Sequence, residues 1–158
     1  YLVSHMAIIP LIDLLLTGIE WSRHGGPATA LWLFLALSFV NGCILEIGRK
    51  TWAPVSERAG VETYSRLWGP RRSAYVWCAL VALAALLLLA VGMAVATVWP
   101  IAAVALAGSV AAVALAVGFA RAPTVAGQAR IDAAAGLWVL LCYASAGFLP
   151  MLFGGAMP

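Results

Sequence analysis

Long apolar runs separated by short polar stretches dominate the chain. Asp, Glu, Lys and Arg are all missing from three stretches, positions 24–45, 73–120 and 133–158. A membrane-spanning helix needs roughly 20 mostly apolar residues, so these stretches predict one, two and one spans. The sequence VWPIA at Val98–Ala102 divides the longest of them. Residues 1–20 predict one further span, although they include Asp13 and Glu20.

The pattern therefore predicts an all-α, polytopic transmembrane bundle with five helices. We expect these helices near residues 2–20, 28–49, 73–97, 101–120 and 131–152, with a polar segment over 49–72, here called the motif loop. Strands are not expected, because a membrane barrel shows short alternating segments rather than long Leu, Ala and Val runs. The chain opens within apolar sequence, and we interpret 1–158 as a single transmembrane domain that is incomplete at its N-terminus.

Composition supports the membrane assignment. The 158 residues are 65% hydrophobic and only 9% charged, whereas a soluble domain carries about 25% charged residues. Cys43, Cys78 and Cys142 lie in apolar stretches without the spacing of a metal site. The net charge of +3 reflects a one-sided distribution of basic residues and indicates no nucleic-acid partner.

Basic side chains are concentrated on one side of the predicted membrane. With five spans, one side receives segments 49–72 and 121–130 with eight Lys and Arg, and the other receives only Arg23. Cytoplasmic loops of membrane proteins are enriched in Lys and Arg. We therefore expect the motif loop in the cytoplasm and the C-terminus on the opposite side of a bacterial-type inner membrane.

Nine of the fifteen charged side chains fall between positions 46 and 72. Glu46 lies near the end of the second predicted helix, and Arg49 and Lys50 follow three and four residues later on the same helical face. One interpretation is an intrahelical ion pair beside a basic membrane boundary, which contributes about 0.5 kcal/mol and has no further role. The other is a binding site, since a carboxylate can hold Mg²⁺ and neighbouring cations can hold phosphate oxygens.

Two further features favour a binding site. Asn41 places a polar amide inside the same span, where polarity is costly. The sequence ERAGVETYSRLWG then adds Arg58, Thr63 and Tyr64, which can contact an anion. Together these residues suit a diphosphate at the membrane surface, with a lipid tail extending into the bundle.

At this point the sequence resembles the UbiA superfamily of intramembrane prenyltransferases. Its members are nine-helix bundles with two aspartate-rich motifs on cytoplasmic loops, of which the second ends the sixth helix and precedes a stretch with spaced glycine and threonine. Here NGCILEIGRK, starting at Asn41, and GVETYSRLWG, starting at Gly60, follow that layout. Two predicted helices come before the motif loop and three after it, so the resemblance covers the last five helices of such a protein.

The resemblance implies Mg²⁺-dependent transfer of a prenyl group from a prenyl diphosphate to a lipophilic, often aromatic, acceptor within the membrane. It also implies that Asn41 and Glu46 hold the metal ion and that Glu46 and Lys50 are catalytic. The residues implied in diphosphate binding or in positioning the loop are Arg49, Lys50, Arg58, Thr63 and Tyr64. Membrane lipids, the missing N-terminal half and other membrane subunits are the implied partners.

One departure from the family pattern opens an alternative. Lys50 stands where the family has a second acidic residue, and the other aspartate-rich motif is not among these residues. A lysine cannot ligate Mg²⁺, but it can contact a diphosphate as a point charge. The alternative is a catalytically altered relative that serves as a lipid- or quinone-binding or assembly subunit of a membrane complex. A small transporter is a third possibility that no sequence feature favours.

Three other ionisable residues are candidates for a substrate cavity. His5 and Asp13 lie eight residues apart on roughly one face of the first predicted helix. Asp13 is near mid-membrane, where a carboxylate is a functional hypothesis by default, although it can also be hydrogen-bonded within the bundle. Asp132 is expected in the first turn of the last helix, either as a cap or dipole partner or in the cavity.

Overall fold

A computed structural model of the chain describes residues 2–23 and 25–153. Its helices are α1 (Leu2–Met6), α2 (Ile8–Trp21), α3 (Thr29–Arg49), α4 (Tyr64–Trp68), α5 (Pro70–Ala94), α6 (Val98–Arg121) and α7 (Val125–Phe153), with a 3₁₀ turn at Pro54–Ser56. Over these residues the protein is all-α and contains no strand, as the hydropathy pattern predicts.

Five helical stretches within the described residues are long and apolar enough to cross a membrane, which confirms the predicted number. The first, Leu2–Trp21, combines α1 and α2, and the others are α3, α5, α6 and α7. The interruption at Ala7 comes three residues before Pro10, whose ring nitrogen cannot donate to the preceding turn. These helices indicate a multi-pass membrane protein.

Four of the long helices, α3, α5, α6 and α7, pack in a ring, each against the next. Ile44, Trp77, Phe119 and Ile131, one from each of them, are fully buried. The most apolar window of α3 is 56% buried, against 6% for that of Leu2–Trp21. The predicted site residues at the end of α3 are therefore carried by the best-packed helix. We call the end of the bundle that holds them, with the start of α5, the end of α6 and the start of α7, the motif end.

α5 begins at Pro70, three residues before its predicted start. A proline at the first helical position loses no hydrogen bond, because the N–H groups of the first turn have no intrahelical acceptor. Gly69 precedes it with a φ of 84°, a conformation that favours glycine. The last residues of the predicted motif loop, 69–72, therefore end α4 and start α5.

The connection between α5 and α6 lies earlier than predicted. VWPIA is expected to separate the two helices, but the break covers residues 95–97. Pro100 lies in the first turn of α6, where its missing N–H costs no intrahelical bond. The chain reverses at Ala96, which has a φ of 54°, and Thr97 N donates to Gly92 O across 2.8 Å.

α7 begins at Val125, six residues before its predicted start. Thr124 caps it, because its Oγ1 accepts a hydrogen bond from Gly127 N at 3.1 Å. The polar sequence AGQARID, residues 126–132, lies mostly before the predicted start at 131 and is therefore helical. The expectation that Asp132 caps this helix or interacts with its first turn is wrong, because Asp132 lies about two turns into α7 and is exposed.

Candidate functional site

Three charged residues meet at the end of α3. Lys50 Nζ lies 2.7 Å from Glu46 Oε1, and Arg49 Nη2 lies 3.4 Å from Glu46 Oε2. Side chains three and four residues apart are neighbours on a helix surface, so the ion pair predicted from the spacing is present. We call these three residues the Glu46 cluster.

The members of the Glu46 cluster differ in exposure. The Glu46 side chain is 6% exposed, that of Lys50 is 32% exposed and that of Arg49 is 64% exposed. Burying a carboxylate is costly unless it is paired, so the two cations stabilise Glu46 in its place. Both cations are also partly exposed, and an ammonium carries three donors and a guanidinium five. The cluster can therefore bind a second anion on its outer side.

The motif loop folds around another carboxylate, that of Glu57. Thr63 Oγ1 lies 2.8 and 2.7 Å from the two Glu57 oxygens, and Ser65 Oγ donates to Glu57 Oε1 at 2.7 Å. Thr63 Oγ1 also accepts from Arg66 N at 3.1 Å and so caps α4. Thr63 and Ser65 are buried, where hydroxyl groups need partners. This network holds the loop in one conformation.

The second half of the motif loop returns to the Glu46 cluster. Tyr64 N donates to Lys50 O at 3.0 Å, and Trp52 N donates to Ser65 Oγ at 2.7 Å. Trp52 Nε1 donates to Arg49 O at 2.8 Å. The two sequence stretches that carry the family resemblance are therefore in contact.

Arg58 and Arg66 lie on the exposed rim of the loop. Arg66 Nη1 donates to Arg58 O at 3.2 Å, and both residues are exposed. Tyr64 is half-buried, with its ring centroid 4.8 Å from that of Trp68. Within the described residues no ion pair joins Arg58 to Glu46. Arg58 is thus a neighbour of the site at the loop surface rather than a member of the Glu46 cluster.

Asn41 lies deeper in α3 than the Glu46 cluster. Five residues of helix separate it from Glu46 by about 7.5 Å along the axis and about 140° around it. The residue is 1% exposed, and its amide has no partner of good hydrogen-bond geometry among the described residues, although it interacts with the Cys142 thiol of α7. Buried amides are normally hydrogen-bonded. The helix alone does not bring this amide to the Glu46 carboxylate.

A magnesium ion fits the site only through Glu46. The described part of the chain has no group of three or more His, Cys, Asp or Glu side chains that could share a metal ion. Mg²⁺ is commonly held by one or two carboxylates plus substrate phosphates. Both Glu46 oxygens contact a cation, so a metal ion has to replace one of these contacts. The residues therefore fit an ion that arrives with a diphosphate rather than a closed site made of protein ligands.

A separate polar contact lies inside the bundle. Tyr143 OH lies 2.9 Å from Ser38 Oγ and donates to Asp13 Oδ2 at 3.5 Å. These contacts join α2, α3 and α7, and Asp13 is thus hydrogen-bonded within the bundle. His5 on α1 and Asp132 on α7 are exposed. Of the three cavity candidates, Asp13 is the one that this hydrogen bond joins to the interior of the bundle.

Three residues that form the polar contacts of the motif loop and the bundle interior are not predicted from the sequence. They are Glu57 in the loop, Gln128, whose Oε1 accepts from Ala53 N at 2.9 Å, and Tyr143. Glu57 does have a sequence signal, because a carboxylate close to Thr63 and Ser65 in a short polar loop can bind their hydroxyls. Gln128 and Tyr143 have no such signal, since their partners are 75 and 105 residues away.

No known family model, curated protein or solved structure matches the chain. The chemistry of the site is therefore inferred from its own residues and their layout. These residues form a cation-rich cluster at the end of an apolar bundle.

Proposed function

We propose that the chain is the C-terminal, five-helix part of a UbiA-like prenyltransferase, which transfers a prenyl group from a prenyl diphosphate to a lipophilic acceptor. The observation that carries this proposal is the Glu46 cluster, in which a buried carboxylate is paired with two partly exposed cations beside an ordered loop. The apolar helices next to the cluster suit an isoprenoid tail. The other aspartate-rich motif and four further helices then belong to the preceding part of the protein.

Lys50 and Arg49 bind the diphosphate in this proposal. Lys50 acts as a compact point charge, and Arg49 can form two parallel hydrogen bonds to phosphate oxygens. The C1–O bond of the prenyl diphosphate breaks, its electron pair leaves with the diphosphate, and the cations stabilise the charge that develops there. An electron-rich carbon of the acceptor attacks the allylic cation to form the new C–C bond and then transfers its proton to the released diphosphate.

Glu46 changes partners when the diphosphate binds. Phosphate oxygens would compete with Glu46 for Lys50 and Arg49, so the Glu46 carboxylate is the group that would hold a Mg²⁺ ion. A Mg²⁺ ion held there would supply Lewis-acid stabilisation of the leaving group. Glu46 suits this role better than Asn41, which lies about 140° around the helix.

The motif loop keeps the cluster in place. Tyr64 is bonded to the Lys50 carbonyl, and Thr63 is bonded to Glu57, so both are positioning residues. Arg58 on the rim adds to the positive potential that attracts an anion. We propose that this end of the bundle faces the cytoplasm of a bacterial-type inner membrane, because eight of the nine Lys and Arg lie on its side.

A lipid- or quinone-binding subunit without catalysis is the second candidate, and one observation favours it. Lys50 occupies the position of the family's second acid, and its ammonium lies 2.7 Å from Glu46 Oε1. If this ion pair persists when a prenyl lipid binds, Glu46 Oε1 stays paired with Lys50 and is not available to a metal ion. Such a protein binds the lipid and releases it unchanged.

Turnover of labelled prenyl diphosphates by the full-length protein separates the two candidates. With Mg²⁺ and a range of chain lengths and lipophilic acceptors, the wild type should form prenylated product. Glu46→Gln should lower kcat/KM by about 100-fold, or ~2.7 kcal/mol of transition-state stabilisation. The matched control is Glu20→Gln, at an exposed glutamate near the other end of the bundle, and it should leave kcat/KM unchanged.

Two results contradict the enzyme proposal in different ways. Absence of product with every chain length and acceptor favours the binding subunit. Equal product from the wild type and Glu46→Gln shows that turnover does not depend on Glu46 and removes its assigned role.

A further inference from the structure

A groove follows the seam between α6 and α7. It consists of two cavities of about 270 and 300 Å³ that share Leu115. On α6 its lining includes Ala107, Ala111, Leu115 and Gly118, and on α7 it includes Arg130 and Ala134. Residues three and four apart share one face of a helix, so the two cavities form one continuous α6–α7 groove. None of its lining residues belongs to the Glu46 cluster.

The α6–α7 groove is lined mainly by apolar side chains and has a cation at the motif end. Arg130 and Thr124 line this end. Arg130 is exposed, and its guanidinium has no ion pair or hydrogen bond within the described residues. α7 starts at Val125, so the N–H groups of its first turn add partial positive charge at the same place. This end of the groove therefore favours a negatively charged group.

We propose that the α6–α7 groove binds one acyl chain of an anionic phospholipid, with the lipid phosphate at Arg130. From Ala107 to Ala122 the groove is about 22 Å long, at 1.5 Å per helical residue. One leaflet contributes about 15 Å of hydrocarbon, so a single chain reaches from the bilayer surface to its midplane within the groove.

Charge complementarity selects a phospholipid as the occupant of the groove. A second copy of the chain or another apolar helix needs an acidic side chain opposite Arg130, because an unpaired cation in an apolar interface is costly. An anionic lipid already carries its phosphate at the depth of the headgroups, where basic pockets between membrane helices bind it. The small side chains along α6 leave room for the attached acyl chain.

Gly118 offers a way to close the groove. A Cβ added at this position meets nothing within 4 Å, so a larger side chain there fills the groove without displacing the packed helices. Gly136 on α7 is the matched control. A Cβ there also meets nothing within 4 Å, and Gly136 does not line the groove.

Native mass spectrometry of the full-length protein, with phosphatidylglycerol and phosphatidylcholine in competition, tests the proposal. The wild type should retain phosphatidylglycerol in about tenfold preference. Arg130→Gln should lower this preference by about fivefold, the effect of one basic contact. Gly118→Leu should lower it by a similar factor, because it excludes the acyl chain from the groove and so from Arg130. Gly136→Leu and Arg72→Gln, the latter at an exposed arginine of the motif end, should not lower it.

Three results overturn the proposal. They are equal retention of the two phospholipids, equal behaviour of groove and control variants, and displacement of phosphatidylglycerol by a prenyl diphosphate in a manner that depends on Gly118 and Arg130. The last result assigns the groove to the prenyl substrate instead. Glu46→Gln should retain phosphatidylglycerol like the wild type, which separates this lipid site from the proposed catalytic site.

Discussion

Glu46 is a carboxylate enclosed by an apolar bundle, and its two oxygens are divided between Lys50 and Arg49. A buried ion without partners costs several kcal/mol, so these cations are part of what keeps Glu46 in its position. They are also partly exposed, which makes the same side chains accessible to a diphosphate. The two candidate functions assign different roles to Lys50. Its ammonium neutralises Glu46, and it occupies the position at which the family has an acidic residue that could hold a metal ion.

Thr63→Val should loosen the motif loop. The substitution keeps the shape of the side chain but removes the hydroxyl that contacts both Glu57 oxygens and caps Arg66 N. A hydrogen bond to a charged group contributes about 1.5–3 kcal/mol. Hydrogen exchange of the amides between residues 57 and 68 should therefore be about 10- to 100-fold faster than in the wild type.

Thr29→Val is the control for this exchange measurement. Thr29 is an exposed threonine at the start of α3, and its substitution should leave the exchange rates of the loop unchanged. If the loop amides of the Thr63→Val variant also exchange at the wild-type rate, the hydroxyl network does not hold the loop in place.

Contacts between near neighbours in the sequence are predictable at this scale, and distant ones are not. Glu46 meets Arg49 and Lys50 because three and four residues complete about one helical turn. The contact between Tyr143 and Ser38 spans 105 residues, and only the packing of α7 against α3 brings it about. A polar residue in a span can be located from the sequence, but its partner cannot.

Helix number and helix ends depend on different physical signals. Apolar length determines that five spans are present, and this signal is strong in so hydrophobic a chain. The ends depend on single residues, such as Thr124 as a cap of α7 and Pro70 at the first position of α5. The first residues of α7 are polar and precede its apolar part. A prediction from hydropathy alone therefore places the start of this helix too late.

Gly48 allows three helices to approach closely beside the Glu46 cluster. A Cβ at this position would lie 2.7 Å from Ala135 Cβ and 3.1 Å from Trp77 Nε1. Gly48→Ala should therefore force α3 away from α5 and α7. We expect the free energy of unfolding to fall by about 1–3 kcal/mol, the usual cost of overpacking, in a denaturant titration in mixed micelles.

Gly136→Ala tests whether close approach is the cause. A Cβ at Gly136 meets nothing within 4 Å, and alanine is favoured over glycine in a helix by roughly 0.5–1 kcal/mol. Gly136→Ala should be neutral or stabilising. Equal destabilisation by the two substitutions means that the contact at Gly48 is not specifically tight.

The whole molecule combines a packed ring of four helices with a peripheral pair. α3, α5, α6 and α7 form the ring, while only 6% of the most apolar window of Leu2–Trp21 is buried. The order of helices around the ring cannot be predicted from this sequence, because all of them are apolar on most faces. The end of the bundle that carries the charges is predictable, since it follows from the number of spans.

The orientation of the bundle in the membrane is a testable prediction at this scale. Green fluorescent protein inserted at Gly60, an exposed glycine of the motif loop, should fluoresce, because the loop is expected in the cytoplasm. Alkaline phosphatase fused after Phe153 should be active, because that end is expected on the other side. Green fluorescent protein that is fluorescent at Phe153 and dark at Gly60 would show the opposite orientation.

The most direct test of the central claim, that the Glu46 cluster binds the diphosphate of a prenyl lipid, is the Kd of a labelled prenyl diphosphate for the full-length protein. Lys50→Gln should raise this Kd by about 10- to 100-fold, since a charge-assisted contact contributes about 1.5–3 kcal/mol. Lys50→Arg should keep most of the affinity, and Arg23→Gln, at the opposite end of the bundle, should keep all of it. The corresponding prenyl alcohol should compete poorly. An unchanged Kd for Lys50→Gln, or equal competition by the alcohol, would contradict the claim.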